Sequence, residues 1–281
     1  MTTSRPEPHT PADPHTPADP RTPAAPRTAP AHAARARSFN AAAAQYAAAR
    51  PSYPPALLDA LEELTGRPLA GARVADVGAG TGIATALLHA RGADVIAVEP
   101  GEGMAAHFHR ALPEVPIVRG TGDALPLADD STDLLTYAQA WHWTDPARSV
   151  PEALRVLRPG GALALWWNTE ALDVPWIAAA ARRVEHHFGL DVTAEKRQAG
   201  AHVGDPAGSL DVVRREIRWR RRVPLDTHLA NIGSYSVFLV QDERRSAAFL
   251  TAEREHLLAV FPDEVVEEVY DVVLLVATTT P

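Results

Sequence analysis

Two alternating patterns of apolar residues run through the first half of the chain. Short apolar runs of strand length occur at residues 74–77, 95–98, 115–118 and 134–138, and segments with apolar residues every three or four positions separate most of them. Continuous apolar runs are typical of buried strands, and the second spacing is typical of amphipathic helices. Strands that alternate with helices predict an α/β fold with a mostly parallel sheet.

The second half of the chain shows the same two patterns less regularly. Further strands are predicted at residues 162–168, 217–221 and 268–277, and helices at 151–156, 176–188 and 246–260, with a helical cap at 226–240. Seven strands in total favour a doubly wound, Rossmann-like sheet. Helical spacing at residues 36–64, interrupted by prolines, predicts an N-terminal helical lid, so the expected domain comprises a lid (36–68), a cofactor-binding core (72–170) and a substrate cap with the last strands (171–281).

Residues 1–35 differ from the rest of the chain in composition. A six-residue unit with two prolines repeats there, and apolar side chains are few. Proline at this density prevents a regular helix or strand, and too little apolar surface is present to offset the cost of ordering. We predict a disordered tail, in which the histidines have nothing to fix the geometry of a metal site.

Composition excludes several classes of function. The chain has 281 residues, a net charge of −8 and no cysteine. Without cysteine there are no disulfides, no thiolate nucleophile and no zinc–thiolate site. The acidic balance argues against a nucleic-acid partner, and the arginines at 214–222 are interpreted as a solvated strand face. No apolar run reaches membrane-spanning length, so we expect no membrane partner. The absence of cysteine fits a reducing cytoplasm, which is the expected location, and no bound metal is expected. A homodimer is an open alternative.

A glycine-rich turn is the strongest chemical signal. The strand at residues 74–77 ends in Gly78, Gly80 and Gly82, and a predicted helix follows at once. Glycines allow a tight turn and a close approach of the backbone to a ligand, and a helix N-terminus offers free N–H groups. Glu99 ends the second strand about twenty residues later, where a doubly wound sheet places the carboxylate that binds a ribose.

The residues of this turn resemble a known family. Asp76, Gly78, Gly80 and Gly82 form Asp-x-Gly-x-Gly-x-Gly, which resembles the first motif of the class I S-adenosylmethionine-dependent methyltransferases and departs from the dinucleotide fingerprint G-x-G-x-x-G. The run at residues 155–161, Arg-Val-Leu-Arg-Pro-Gly-Gly, resembles the turn before the fifth strand of that family. The segments at 39–54 and 139–145 resemble those of the type-11 and trans-aconitate-type small-molecule enzymes.

The resemblance implies S-adenosyl-L-methionine as cofactor and assigns residues to its site. The implied cofactor-binding residues are Tyr46, Asp76, Gly78, Ala79, Gly80, Thr81, Gly82, Glu99, Pro100, Met104, Thr121, Gly122, Asp123, Ala124 and Gln139. The substrate-side candidates are Phe39, Tyr53, Trp141, Trp143, Trp167, Asn168 and Tyr235. Many members carry an acid where this chain has Thr121, so either Asp123 or Thr121 with backbone groups contacts the adenine.

The expected function is transfer of a methyl group to an oxygen, nitrogen or carbon atom of a small molecule, in a biosynthetic, secondary-metabolic setting. His142 is the candidate general base, since histidine titrates near neutrality. The alternative is that it only shapes the pocket between two tryptophans. Two other functions remain open, a nicotinamide-dependent oxidoreductase and a non-catalytic cofactor-binding regulator.

Overall fold

The computed structural model describes residues 47–189, 210–235, 238 and 242–279. Its helices are α1 (Pro55–Thr65), α2 (Ile83–Ala90), α3 (Glu102–Ala111), α4 (Pro146–Val156), α5 (Pro175–Phe188), α6 (Leu225–Gly233) and α7 (Glu243–Val260), with a short 3₁₀ helix at Trp141–Trp143. The strands are β1 (Arg73–Val77), β2 (Asp94–Val98), β3 (Ile117–Val118), β4 (Thr132–Ala138), β5 (Leu157–Glu170), β6 (Val212–Pro224) and β7 (Val265–Thr278). The predicted tail and the first part of the predicted lid, residues 36–46, lie outside these ranges.

The seven strands form one sheet in the order β3-β2-β1-β4-β5-β7-β6. Strands β1 to β5 are parallel, whereas β7 runs antiparallel between β5 and β6. The strand order reverses at β1 and β4, and the carboxyl ends of neighbouring strands diverge there to leave a crevice for a ligand. The predicted doubly wound, Rossmann-like sheet is confirmed.

Apolar side chains pack on both faces of the sheet. On one face α1, α2 and α3 contribute Leu57, Leu88 and Phe108 to a cluster with Trp166, and on the other Val150 and Val156 of α4 pack with Trp167. Trp166 and Trp167 project to opposite faces because successive side chains of a strand alternate. A sheet covered on both faces explains why its strands read as continuous apolar runs.

Two predicted boundaries differ from the structure for identifiable reasons. The helix predicted at 151–156 begins at Pro146, where the Asp145 carboxylate accepts the Ala147 N–H at 3.1 Å, so Pro151 lies inside the helix and does not open it. The turn predicted at residues 157–161 is part of β5. Its pairing with β4 shifts between Thr132 and Leu134, and Gly160 has a φ of +70°. The run therefore forms an irregularity within the strand.

A helical cap follows the parallel strands. Helix α5 connects β5 with β6, and α6 and α7 lie between β6 and β7. Aromatic and aliphatic side chains join these helices in a core of their own, which includes Val184, Phe188, Ile232, Phe238 and Phe249. The predicted C-terminal cap is therefore present. Within the described ranges, no helix has both the length and the apolar character needed to cross a bilayer.

Candidate active site

Three glycines shape the loop between β1 and α2. Gly78, Gly80 and Gly82 have φ angles of +68°, +59° and +93°, a region that side chains with a Cβ rarely adopt. A Cβ on Gly78 would lie 2.5 Å from the Ala140 Cβ, and one on Gly82 would lie 2.9 Å from the Phe108 ring. A Cβ on Gly80 would meet nothing closer than the Gly78 carbonyl at 3.9 Å. Gly78 and Gly82 therefore allow close packing, and Gly80 leaves open space.

The carboxylate of Glu99 lies against this loop. Its Oε2 accepts the Gly80 N–H at 2.8 Å and its Oε1 accepts the Gly101 N–H at 2.6 Å. The residue is 7% exposed, and burial raises the pKa of Glu99, while these two backbone N–H groups oppose the rise. The predicted acid at the end of β2 is thus held rigidly next to the glycines. Each of its oxygens keeps a lone pair for a further donor.

Asp76 lies beneath the loop and is fully buried. Its Oδ2 accepts the Thr85 hydroxyl at 2.6 Å and its Oδ1 the Thr136 hydroxyl at 2.9 Å, which joins β1 to α2 and β4. Burial raises the pKa of Asp76 to about 6, and the two hydroxyl bonds oppose that rise. Neighbouring Thr81 is also buried, and its Oγ1 has no hydrogen-bond partner in the described ranges. This hydroxyl is one polar atom at the loop that remains for a ligand.

The loops after β2 and β3 lie at the same carboxyl edge of the sheet as the glycine loop. Met104 of α3 is buried, and the Pro100 carbonyl accepts a bond from Arg119 at 2.5 Å. Thr121 is exposed, whereas Asp123 accepts the Asp145 N–H at 2.9 Å through Oδ1. Asp123 is therefore partly occupied in holding the start of α4, and both candidates for the adenine contact remain. Gly122 and Ala124 lie in the same turn, where a Cβ on Gly122 would meet the Tyr137 hydroxyl at 2.9 Å.

The run after β4 lies at the same edge of the sheet. Gln139 has a φ of +58°, an uncommon conformation for a residue with a side chain, and such strain concentrates at functional sites. Trp141 is 3% exposed and packs edge-on against Tyr137, whereas His142 and Trp143 are half-buried. The Trp167 indole N–H donates to His142 Nδ1 at 3.4 Å. Because Nδ1 accepts this bond, a neutral His142 ring has its proton on Nε2. The unprotonated nitrogen, Nδ1, therefore faces Trp167.

The remaining substrate-side candidates are spread over several environments. Tyr53 packs edge-on against Trp166 in the core and is 9% exposed. Asn168 donates to the Ser52 carbonyl at 3.1 Å and accepts from Trp219 at 2.9 Å, so it does not share a face with Trp167. The Tyr235 hydroxyl donates to Glu170 at 3.0 Å. Phe39 lies outside the described residues, as does the cofactor-side candidate Tyr46.

The arginines of β6 are paired with acids. Arg218 binds Asp173 and Asp271, Arg214 binds Glu216, and Arg215 binds Glu63. Arg221 is directed inward and donates to the buried Glu268 at 2.5 Å. The predicted solvated face is therefore wrong for Arg221, which lies in a buried network.

That network was missed from the sequence. Glu268 accepts from Arg221 and from His228, whose Nδ1 is 2.6 Å away, and Asn231 donates to the Tyr270 hydroxyl at 3.1 Å. The sequence contains one signal of this network. Val266, Glu268 and Tyr270 occupy alternate positions of a strand, so their side chains point to the same, inward face. An acid at such a position has to be paired.

The geometry defines an α/β protein whose backbone loop and ribose-type carboxylate suit a nucleoside-containing cofactor. Residues 75–165 match the methyltransferase-domain family. A malonyl-[acyl-carrier protein] O-methyltransferase of Methylococcus capsulatus is 32% identical over 247 residues, which cover 83% of each chain. The chain belongs to the class I S-adenosylmethionine-dependent methyltransferases.

Two other comparisons agree with this assignment. An uncharacterized methyltransferase of Mycobacterium tuberculosis is 48% identical over 140 residues, which cover 50% of this chain. The match spans only 56% of the mycobacterial protein. A solved structure of a candidate type II methyltransferase from Anaeromyxobacter dehalogenans is 25% identical, with a TM-score of 0.63, and covers 83% of this chain and 99% of that one.

Proposed function

We propose that this protein transfers a methyl group from S-adenosyl-L-methionine to an oxygen atom of a small molecule. The observation that carries the proposal is the Glu99 carboxylate, held by the Gly80 and Gly101 N–H groups beside a loop of left-handed glycines. A carboxylate with free lone pairs suits the two hydroxyls of a ribose. Family membership supports this cofactor, and the Methylococcus relative, an O-methyltransferase by name, supports an oxygen acceptor.

The residues of the loop fit the cofactor. Open space at Gly80 allows close approach of a ligand, and the unpartnered Thr81 hydroxyl lies next to it. Bound there, the cofactor would supply a sulfonium methyl carbon for a nucleophile, and its sulfur would leave as a neutral thioether. Aromatic faces suit a sulfonium cation, and the candidates for that contact are Tyr46, Tyr53, Trp141 and Trp143. Tyr53 and Trp141 are in the core and Trp143 is half-buried, whereas Tyr46 lies outside the described residues, so Tyr46 and Trp143 both remain candidates.

The task of the protein is then alignment more than proton transfer. The sulfur leaves without charge, so no acid is needed, and orientation with exclusion of water supplies the main rate enhancement. The Trp167 contact to Nδ1 directs His142 toward a positioning role. We infer that His142 shapes the pocket and that the acceptor is oriented by the cap.

Calorimetry with S-adenosylhomocysteine and with NADH tests the cofactor. We expect binding of the first and none of the second, and the reverse result would restore the oxidoreductase alternative. Incubation of the protein with cofactor labelled in its methyl group and a metabolite extract then tests turnover. Cofactor binding without label in any extracted product would favour the regulatory alternative.

A further inference from the structure

A partly open cavity lies between the cap and the sheet. Its volume is about 50 Å³, and it is bounded by α5, α6 and the ends of β5 and β7. Glu170 ends β5 and pairs with Tyr270 of β7, so the cavity lies at the same carboxyl edge of the sheet as the glycine loop. The apolar part of its wall includes Trp176, Ile177, Ala180, Val184, Ile232 and Val269. On this measure a water needs roughly 10–15 Å³, so the space admits one end of a small molecule.

A histidine and a carboxylate form a buried pair in the wall of this cavity. His228 Nδ1 lies 2.6 Å from Glu268 Oε1, and the two side chains are 9% and 2% exposed. His228 Nε2 is buried and has no hydrogen-bond partner among the residues that the structure describes. An unpaired polar atom at this depth is costly unless something binds it.

The charges around the pair determine which hydrogen-bond role Nε2 has. Burial would raise the pKa of Glu268, but the bonds from His228 and Arg221 outweigh it and lower the pKa, so Glu268 is ionised near neutral pH. An ionised carboxylate has no proton to give, and His228 Nδ1 therefore carries the proton of their bond. In a neutral His228 ring with its proton on Nδ1, the unpartnered Nε2 is an acceptor.

We propose that this cavity binds the methyl acceptor and that His228 Nε2 accepts a hydrogen bond from a hydroxyl group of that molecule. The inference rests on the proposed function and names its substrate class, a small hydroxyl-bearing compound with an apolar body. Glu268 holds the imidazole in the required tautomer, as a carboxylate does for a histidine in other sites that need one nitrogen free. Trp176, edge-on to His228 with ring centroids 5.6 Å apart, supplies an adjoining apolar surface.

The segment before α1 closes this side of the protein. Arg50 donates to the Ser234 carbonyl at 3.1 Å, and its guanidinium lies 4.9 Å from the centre of the Tyr235 ring. Arg221 donates in turn to the Ala49 carbonyl at 3.1 Å. The side chain that pairs with Glu268 thus also fixes the segment that resembles the family's lid.

NMR of the histidine side-chain nitrogens in the wild-type protein tests the proposal. Phenol is the probe, and anisole, which lacks the hydroxyl hydrogen, is the control ligand. We expect the His228 spectrum to show the proton on Nδ1, and phenol but not anisole to shift the Nε2 signal. A proton on Nε2, no shift with phenol, or equal shifts with both probes would overturn the proposal. Since the titration needs no cofactor, its outcome is independent of whether S-adenosylhomocysteine binds.

A pair of variants assigns the signal and measures the contact. His228→Phe removes the acceptor and keeps a ring, whereas His256→Phe changes an exposed histidine of α7. We expect phenol to bind about three- to tenfold more weakly to His228→Phe, as for the loss of one hydrogen bond, and unchanged to His256→Phe. Equal phenol affinity in both folded variants would contradict the proposal. If His228→Phe does not fold, the comparison of phenol with anisole in the wild type decides.

Discussion

The two ends of the candidate site are built in different ways. Around the glycine loop the main chain provides the structure, with three left-handed glycines and a Glu99 carboxylate bound by N–H groups. Under the cap, the structure is provided by side chains. Glu268 binds His228 and Arg221, which are 40 and 47 positions away in the chain. A site made of backbone depends on the conformation of a few consecutive residues, whereas a site made of side chains depends on strands and helices already being assembled.

The largest effect is expected from a side chain placed in the loop. Gly78→Ala adds a Cβ at 2.5 Å from the Ala140 Cβ and holds alanine at a φ of +68°. The strained φ and the overpacking together cost about 2–5 kcal/mol. We expect a matching loss in chemical denaturation and a loss of S-adenosylhomocysteine affinity of roughly a hundredfold or more in calorimetry.

Gly66→Ala is the matched control for this variant. Gly66 ends α1 with a φ of +64°, but a Cβ there would meet nothing within 4 Å. Only the conformational cost of about 1–2 kcal/mol is expected, with cofactor affinity unchanged. Equal effects of the two variants would mean that the packing of the loop against Ala140 contributes nothing to the site.

A loss of stability of similar size is expected under the cap. Glu268→Gln leaves Arg221 and His228 without their ionised partner, and breaking a buried pair costs about 3–5 kcal/mol. Glu267→Gln, one residue earlier, disrupts a pair with Arg220 whose side chains are 42% and 64% exposed, and we expect less than about 1 kcal/mol. Denaturation of both variants measures the difference, and a similar cost for each would show that burial does not strengthen the inner network.

The cost of Glu268→Gln also depends on pH. The pKa of Glu268 in the folded protein is lowered from the ordinary 4.5, so its stabilising contribution is fully present above that value. It is lost as the pH falls from 4.5 through the lowered pKa. The stability difference between wild type and Glu268→Gln should therefore shrink on acidification, while that for Glu267→Gln stays small throughout.

The same contrast explains what could be predicted from the sequence. The β1 strand, the glycine turn and Glu99 are local patterns, and the structure brings them together as expected. His228 is a single histidine in a helix, and nothing in its neighbours indicates a carboxylate 40 positions later. Pro151 was misinterpreted for a different reason, because the start of α4 has a local signal, the Asp145 carboxylate that accepts the Ala147 N–H with Pro146 as the first helical residue. Contacts that need the assembled sheet leave only weak traces in a sequence.

Glu99 provides a smaller and more specific test of the backbone-built end. Glu99→Ala removes the acceptor for the ribose hydroxyls, and a charge-assisted hydrogen bond contributes roughly 1.5–3 kcal/mol. We expect S-adenosylhomocysteine affinity in calorimetry to fall about ten- to a hundredfold. Glu102→Ala, an exposed acid in the first turn of α3, is the control and should leave the affinity unchanged. Unchanged affinity in Glu99→Ala would remove this residue from the site.

The smallest of these effects is expected at His142, which lies between the two ends of the site. If it shapes the pocket, His142→Ala should weaken cofactor binding by roughly tenfold or less, and the pH profile of kcat should match that of the wild type. The contact of Trp167 with Nδ1 favours this outcome, because a general base needs an unprotonated nitrogen that faces the acceptor. A general base would give a different result, a kcat lower by roughly 10²–10⁴ with intact cofactor affinity and a lost acid limb in the pH profile.

Trp167→Phe separates the two roles of His142 further, since it removes the indole N–H but keeps an aromatic ring in the core. If His142 is positioned by that N–H, the Trp167→Phe variant should reproduce the loss of affinity, and wild-type affinity in Trp167→Phe would show that the contact does not position the imidazole.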